Sequence, residues 1–174
     1  KEEYVAYLHY SNEYELEQKA QLIYTRVMMT VHFTKKNQEQ KDAEVKQCVE
    51  DIEKIVSQAK SLVVYFIYIR IYLFYYEISG DNTKINETCD TYLQQYSKYY
   101  SSILSQNYLN TIYIYKLKSL FDLRMDKEAL ALIESILPES KGASYLAVRE
   151  FEMKILLNNK QTDKAKELIQ QIQT

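Results

Sequence analysis

The stretch Leu62–Tyr76, LVVYFIYIRIYLFYY, constrains the fold of this chain more than any other feature. Arg70 is its only charged residue, and no polar side recurs at helical or strand spacing. β-Branched and aromatic residues suit a strand, but the stretch is long for a strand, and its length favours a helix. A helix that is apolar all round must be covered on nearly every side. The stretch therefore predicts the central helix of an all-α fold.

A membrane crossing is the alternative interpretation of this stretch. Even when it is extended to Ile78, the segment only reaches the short limit for a bilayer, and Arg70 lies near its middle. An arginine at the bilayer centre costs about 2.5–3.5 kcal/mol on insertion scales. The tyrosine hydroxyls would also lack partners in lipid. We therefore expect a buried helix and no membrane span.

Composition and charge narrow the class of protein. Two glycines and one proline among 174 residues indicate long helices joined by short turns. Basic and acidic residues nearly balance, and no basic cluster exceeds Lys35-Lys36, so we expect no nucleic-acid partner. Cys48 and Cys89 have neither metal-site nor disulfide-framework spacing. We expect both to be buried free thiols in a cytoplasmic protein.

The first part of the chain is predicted to be helical, either as one bent helix or as two helices. Tyr14–Val31 keeps one apolar side at helical spacing, and Tyr14 is expected to face inward. Before it, Ser11-Asn12 breaks the pattern, and Asn12 with Glu15 resembles a capping box. The chain starts at Lys1 rather than at a methionine, and we expect a fragment of a longer protein.

The shorter helices share an apolar pattern that repeats along the chain. Three columns of equivalent positions are Val45, Ile85, Ala129 and Ala165; Val49, Cys89, Ile133 and Ile169; and Ile52, Tyr92, Ile136 and Ile172. Repeats of this length predict helical hairpins that bury their apolar sides against neighbouring hairpins. We predict a single domain, an α-solenoid of about four antiparallel helix pairs at residues 12–58, 60–100, 104–138 and 143–174.

These hairpins resemble tetratricopeptide repeats (TPR), most clearly in Leu117–Ser140 and Met153–Ile172. Gly80 stands where the family places its turn glycine, and Ala129 and Ala165 stand where it places a small residue. The spacing departs from the family, because the first repeat intervals exceed 34 residues. The resemblance implies a right-handed superhelix whose first helices line a concave surface that receives peptides or partner helices.

The resemblance also assigns residues to that concave groove. The predicted groove residues are Arg70, Phe74, Glu77, Ile114, Lys118, Phe121, Glu150 and Lys154. Lys118 and Lys154 are candidates to bind a carboxylate together. Arg70 either pairs with a buried acid, such as Glu77 or Asp90, or reaches into the groove. We expect it to reach into the groove.

No catalytic cluster appears in the sequence. His9 and His32 lack a carboxylate at helical ligand spacing, and there is no Cys-x-x-Cys pair and no glycine-rich phosphate loop. We therefore expect a non-enzymatic scaffold for protein–protein interaction, without cofactor or metal. The alternative is a ligand- or peptide-sensing regulatory domain of a bacterial transcription regulator or signalling protein.

Overall fold

A computed structural model describes residues 2–96 and 103–173, and the side chains of residues 11–95 and 108–172. These residues form eight α-helices and one 3₁₀ turn, and no strand, which confirms the all-α prediction. The elements are α1 (Glu2–His32), α2 (Gln38–Val56), α3 (Leu62–Ser79), α4 (Asn82–Tyr96), α5 (Ile103–Asp122), α6 (Asp126–Ile136), the 3₁₀ turn Leu137–Glu139, α7 (Gly142–Asn158) and α8 (Thr162–Gln173). Residues 97–102, which contain most of the predicted boundary between the second and third repeats, lie outside this description.

The chain divides into two compact units, at residues 1–81 and 82–174. The first unit contains α1 to α3, and the second contains α4 to α8. The organisation as a single domain and the arrangement of four antiparallel pairs stay predictions.

Helix α3 is the core helix of the first unit, because both α1 and α2 pack against it. Ser61 is the N-cap of the helix, and its side-chain oxygen accepts a hydrogen bond from the Val63 amide at 3.2 Å. Its buried residues are Val64, Phe66, Ile67, Ile69, Ile71, Leu73 and Phe74. Within the described part of the chain, α3 is also the one helix whose length and hydropathy would allow a membrane crossing.

Helix α1 runs through Ser11-Asn12 without interruption, so the structure selects one helix over two. Two polar residues do not stop a helix when the residues that follow, Glu13 to Leu22, are mostly good helix formers. The capping box occurs instead at the start of α2. There the Asn37 side chain accepts from the Gln40 amide at 2.9 Å, and the Gln40 side chain accepts from the Asn37 amide at 3.3 Å.

Charged side chains connect α1 to α2 at the surface. Glu44 of α2 accepts from Lys36 and from Arg26, which lies on α1. The hydrogen bond from Lys36 is the main reason that the pKa of Glu44 lies below its usual range. Glu44 is therefore ionised near neutral pH, and its contact with Arg26 connects α2 to α1 at the surface.

In the second unit, α5 packs against α4, α6 and α7, and α7 packs against α6 and α8. The first column of the repeat pattern is buried in all four helices, which confirms that these positions face inward. In the second column Ile169 differs, with 41% exposure. Helix α8 packs on α7, and Ile169 lies on the side of α8 that this contact leaves open.

Three helices end in the same left-handed turn. Gly80, Arg124 and Lys160 follow α3, α5 and α7 with φ values of +70°, +60° and +59°. In each turn, the amide of the next residue donates to a carbonyl five residues back, at 2.8–2.9 Å. The three residues occupy equivalent positions of the predicted repeat, and only the first is glycine. The left-handed turn therefore recurs even where the side chain does not favour it.

Candidate functional site

An open groove of about 460 Å³ lies between α5 and α7 of the second unit. Its lining residues are Asn110, Thr111, Ile114, Tyr115, Ala143, Ser144 and Ala147. The α7 wall consists of small side chains, which leave the space between the helices unfilled. The α5 wall carries amide and hydroxyl groups, which can both donate and accept hydrogen bonds. The groove thus combines small and apolar side chains with groups that can form hydrogen bonds.

The predicted groove residues of α5 and α7 are divided between this groove and its surroundings. Ile114 lines the groove, as predicted. Lys154 is exposed and forms a surface ion pair, with its Nζ 2.7 Å from the Glu150 carboxylate and 5.2 Å from the Phe151 ring centroid. Lys118 is exposed, and Phe121 is half-buried with its ring centroid 6.2 Å from that of Phe151. A carboxylate held jointly by the two lysines would have to compete with Glu150.

The predicted groove residues of α3 differ strongly in exposure. Phe74 is only 6% exposed and packs in the core beside Tyr24 and His32, with ring centroids 6.1 Å away in both cases. This burial places Phe74 in the hydrophobic core rather than on an open surface. Glu77 is half-buried.

Arg70 makes neither of the buried ion pairs considered from the sequence. Its guanidinium carbon lies 4.5 Å from the centroid of the Tyr24 ring and 5.6 Å from that of the Phe66 ring. Both distances are in the range of cation–π attraction. Asp90, one of the acids considered, pairs with Lys116 instead. Arg70 is therefore positioned by aromatic rings rather than by an acid.

The Arg70 charge also affects its neighbour. Burial raises the pKa of Tyr24, and the nearby guanidinium opposes this rise. Tyr24 consequently stays a neutral phenol near pH 7, and its ring face serves as an uncharged support for the arginine. Sequence reasoning missed this contact, because Tyr24 and Arg70 lie on different helices and no local spacing connects them.

An exposed apolar stripe on α1 was also missed. Tyr14, Leu22 and Met29 lie on one side of α1 at helical spacing, and Phe33, which directly follows the helix, continues the stripe; their exposures range from 51% to 72%. The expectation that Tyr14 faces inward is wrong, because the inward side of α1 carries Leu16, Ala20 and Val27. In the sequence, these residues form a second apolar side of the segment. They were missed because one apolar side is already enough to predict an ordinary surface helix.

Both thiols are inaccessible. Cys48 and Cys89 are free and fully buried, as expected. Burial raises the pKa of the Cys89 thiol to about 12, and it raises that of Cys48 as well. A thiol in this condition is a poor nucleophile at neutral pH. Among the described residues, no group of histidine, cysteine and acidic side chains has the arrangement of a metal site.

Comparisons with protein-family models, curated proteins and solved structures found no match to this chain. Its likeness to tetratricopeptide repeats therefore stays a prediction from the residues named in the sequence analysis.

Proposed function

We propose that this chain is a non-enzymatic, tetratricopeptide-like binding module, and that the groove between α5 and α7 holds an extended peptide segment of a partner protein. The observation that carries the proposal is the groove itself, with small residues on one wall and hydrogen-bonding side chains on the other. Ile114, which the repeat columns had assigned to a concave surface, lies in this groove.

The helix contacts support a repeat architecture. Within the second unit, α5 contacts both α6 and α7, and α7 contacts both α6 and α8. The first unit has the same order, because α3 contacts both α1 and α2. The shared left-handed turn at residues 80, 124 and 160 adds a second, independent repeat feature. Stacked hairpins of this kind characteristically present their binding surface along the first helices.

The chemistry of the groove favours a peptide over a rigid apolar ligand. An extended peptide presents alternating amide and carbonyl groups that need partners when they leave water. Asn110, Thr111 and Tyr115 already interact within the protein, but an amide or hydroxyl group has several donor and acceptor sites, and a peptide can use those that remain. Ala143 and Ala147 leave room for peptide side chains. The nearby Glu150–Lys154 pair is solvent-exposed and contributes little to binding energy.

A peptide-display selection followed by a steric block tests the proposal. Peptides selected on the immobilised chain are expected to bind with micromolar Kd, measured by fluorescence anisotropy. Ala147→Trp fills the space between the helices, and we expect it to weaken binding by at least about tenfold, which corresponds to about 1.4 kcal/mol. Leu146→Trp is the matched control, because Leu146 precedes Ala147 on α7, is 55% exposed and does not line the groove.

The control should bind the selected peptides as the unmodified chain does. Both variants should retain the helical circular dichroism spectrum of the unmodified chain. Equal binding by all three proteins, or the failure of the selection to enrich any peptide, would refute the assignment of the groove.

A further inference from the structure

We propose that Arg70 forms a carboxylate-binding site on the first unit, with the rings of Tyr24 and Phe66 as its support. The site does not depend on the groove between α5 and α7. Its ligand class is a carboxylate, supplied either by an acidic side chain or by the C-terminus of a peptide.

The first argument is the unused hydrogen-bonding capacity of Arg70. A guanidinium has five N–H donors and carries its charge at any physiological pH. The Nε atom of Arg70 is buried and has no hydrogen-bond partner. No carboxylate among the described residues pairs with this side chain, although buried or half-buried charges are normally paired. The charge is therefore in place without its usual counter-ion.

The second argument is the contrast with Arg149 on α7. This arginine also lies over a tyrosine, with its guanidinium carbon 5.3 Å from the centroid of the Tyr145 ring. Its Nε donates to the Tyr145 hydroxyl at 3.2 Å, and one Nη donates to the Glu152 carboxylate at 2.6 Å. Arg149 thus pairs with an acid of its own helix, whereas Arg70 pairs with no acid among the described residues.

The third argument is that the site is preorganised and accessible. The side chain of Arg70 is half-buried. Of its three nitrogen atoms, Nε is the one that is buried without a hydrogen-bond partner, and the two Nη atoms remain in contact with solvent. The two ring faces hold the planar guanidinium and reduce the entropy lost when a ligand binds. A carboxylate can then accept two parallel N–H bonds from the fork, the geometry that makes arginine selective for this group.

Side-chain NMR of the ¹⁵N-labelled chain tests the proposal directly. The Nε–Hε signals of Arg70 and Arg149 are assigned from their absence in Arg70→Lys and Arg149→Lys. Three probes are then titrated at constant ionic strength. N-acetylglutamic acid α-amide carries only a side-chain carboxylate, N-acetylleucine carries only a terminal carboxylate, and N-acetylglutamine amide is neutral.

The Arg70 signal is expected to shift saturably, with half-saturation at millimolar concentration, for at least one of the two carboxylate probes. The neutral probe should leave it unchanged, and the Arg149 signal should not move with any probe. A response to only one of the carboxylates identifies the source of the group that the site prefers. Absence of any saturable shift at about 50 mM, or equal shifts of both arginines, would overturn the proposal.

A second measurement distinguishes the effect of the planar guanidinium geometry from the effect of the positive charge. The amide signal of Tyr24 reports occupancy in variants that have lost the arginine signal. Arg70→Lys keeps the positive charge but not the bidentate geometry, and we expect about tenfold weaker binding. Arg70→Met should abolish the response, and undiminished binding by either variant would contradict the assignment.

Discussion

The left-handed turn after α7 gives a quantitative test of the structure, through the substitution Lys160→Gly. Lys160 has φ +59°, and a non-glycine residue in this region is strained by about 1–2 kcal/mol. Glycine removes that strain but adds about 0.5–1 kcal/mol of entropy to the unfolded chain. The Lys160 side chain is exposed, so its removal sacrifices no burial. We expect a net stabilisation of about 0.5–1 kcal/mol, or a rise in Tm of a few degrees.

The reverse change at the equivalent turn should have the opposite sign. Gly80→Ala places a Cβ where no atom lies within 4 Å, so its effect is purely conformational. We expect a destabilisation of about 0.5–1 kcal/mol. The matched control is Lys166→Gly, the same substitution inside α8, which should destabilise by about 1 kcal/mol because glycine is a poor helix former.

Urea denaturation followed by circular dichroism at 222 nm measures all three variants. If Lys160→Gly lowered stability as Lys166→Gly does, residue 160 would not adopt the left-handed conformation. The structural equivalence of the three turns would then be refuted.

Three further outcomes follow from the core and the charges. Leu120→Ala should destabilise by about 2–5 kcal/mol, because Leu120 is 2% exposed, whereas the exposed Lys35→Ala should stay within about 0.5 kcal/mol in the same denaturation assay. Cys48 and Cys89 should not react with Ellman's reagent at pH 8 until the chain is unfolded, and rapid native labelling would contradict their burial. Glu44→Gln should reduce stability at pH 7 by up to about 1 kcal/mol. Because the folded pKa of Glu44 lies below its usual 4.5, the difference from the unmodified chain should close as the pH falls below that value, and a difference that persists at pH 2–3 would contradict the ion pair.

The helices and their inward sides could be predicted because both depend on local spacing. The apolar length of α3 and the buried first column of the repeat follow directly from the order of residues. The left-handed turn at Gly80 was also predictable, since glycine is the residue that adopts it most readily. The equivalent turns at Arg124 and Lys160 carry no local signal and become visible only through the repeat.

The binding surfaces were harder to predict, because they depend on which side chains meet across helices. The small residues Ala143, Ser144 and Ala147 leave a groove only because α5 lies opposite them. Likewise, the sequence shows that Arg70 needs a partner, but it does not show that Tyr24 faces it. Electrostatics alone left two destinations for Arg70, a buried acid or the open groove, and the aromatic support became visible only from the packing of α1 on α3.

Chemical-shift mapping with the tightest selected peptide is the most direct test of peptide binding in the groove between α5 and α7. In the ¹⁵N-labelled chain, the largest amide shifts are expected at Asn110, Thr111, Ser144 and Ala147, which line the groove. Signals from the far side of α6, such as that of Glu134, should stay in place. A saturable binding curve whose largest shifts lay outside α5 and α7 would contradict the account.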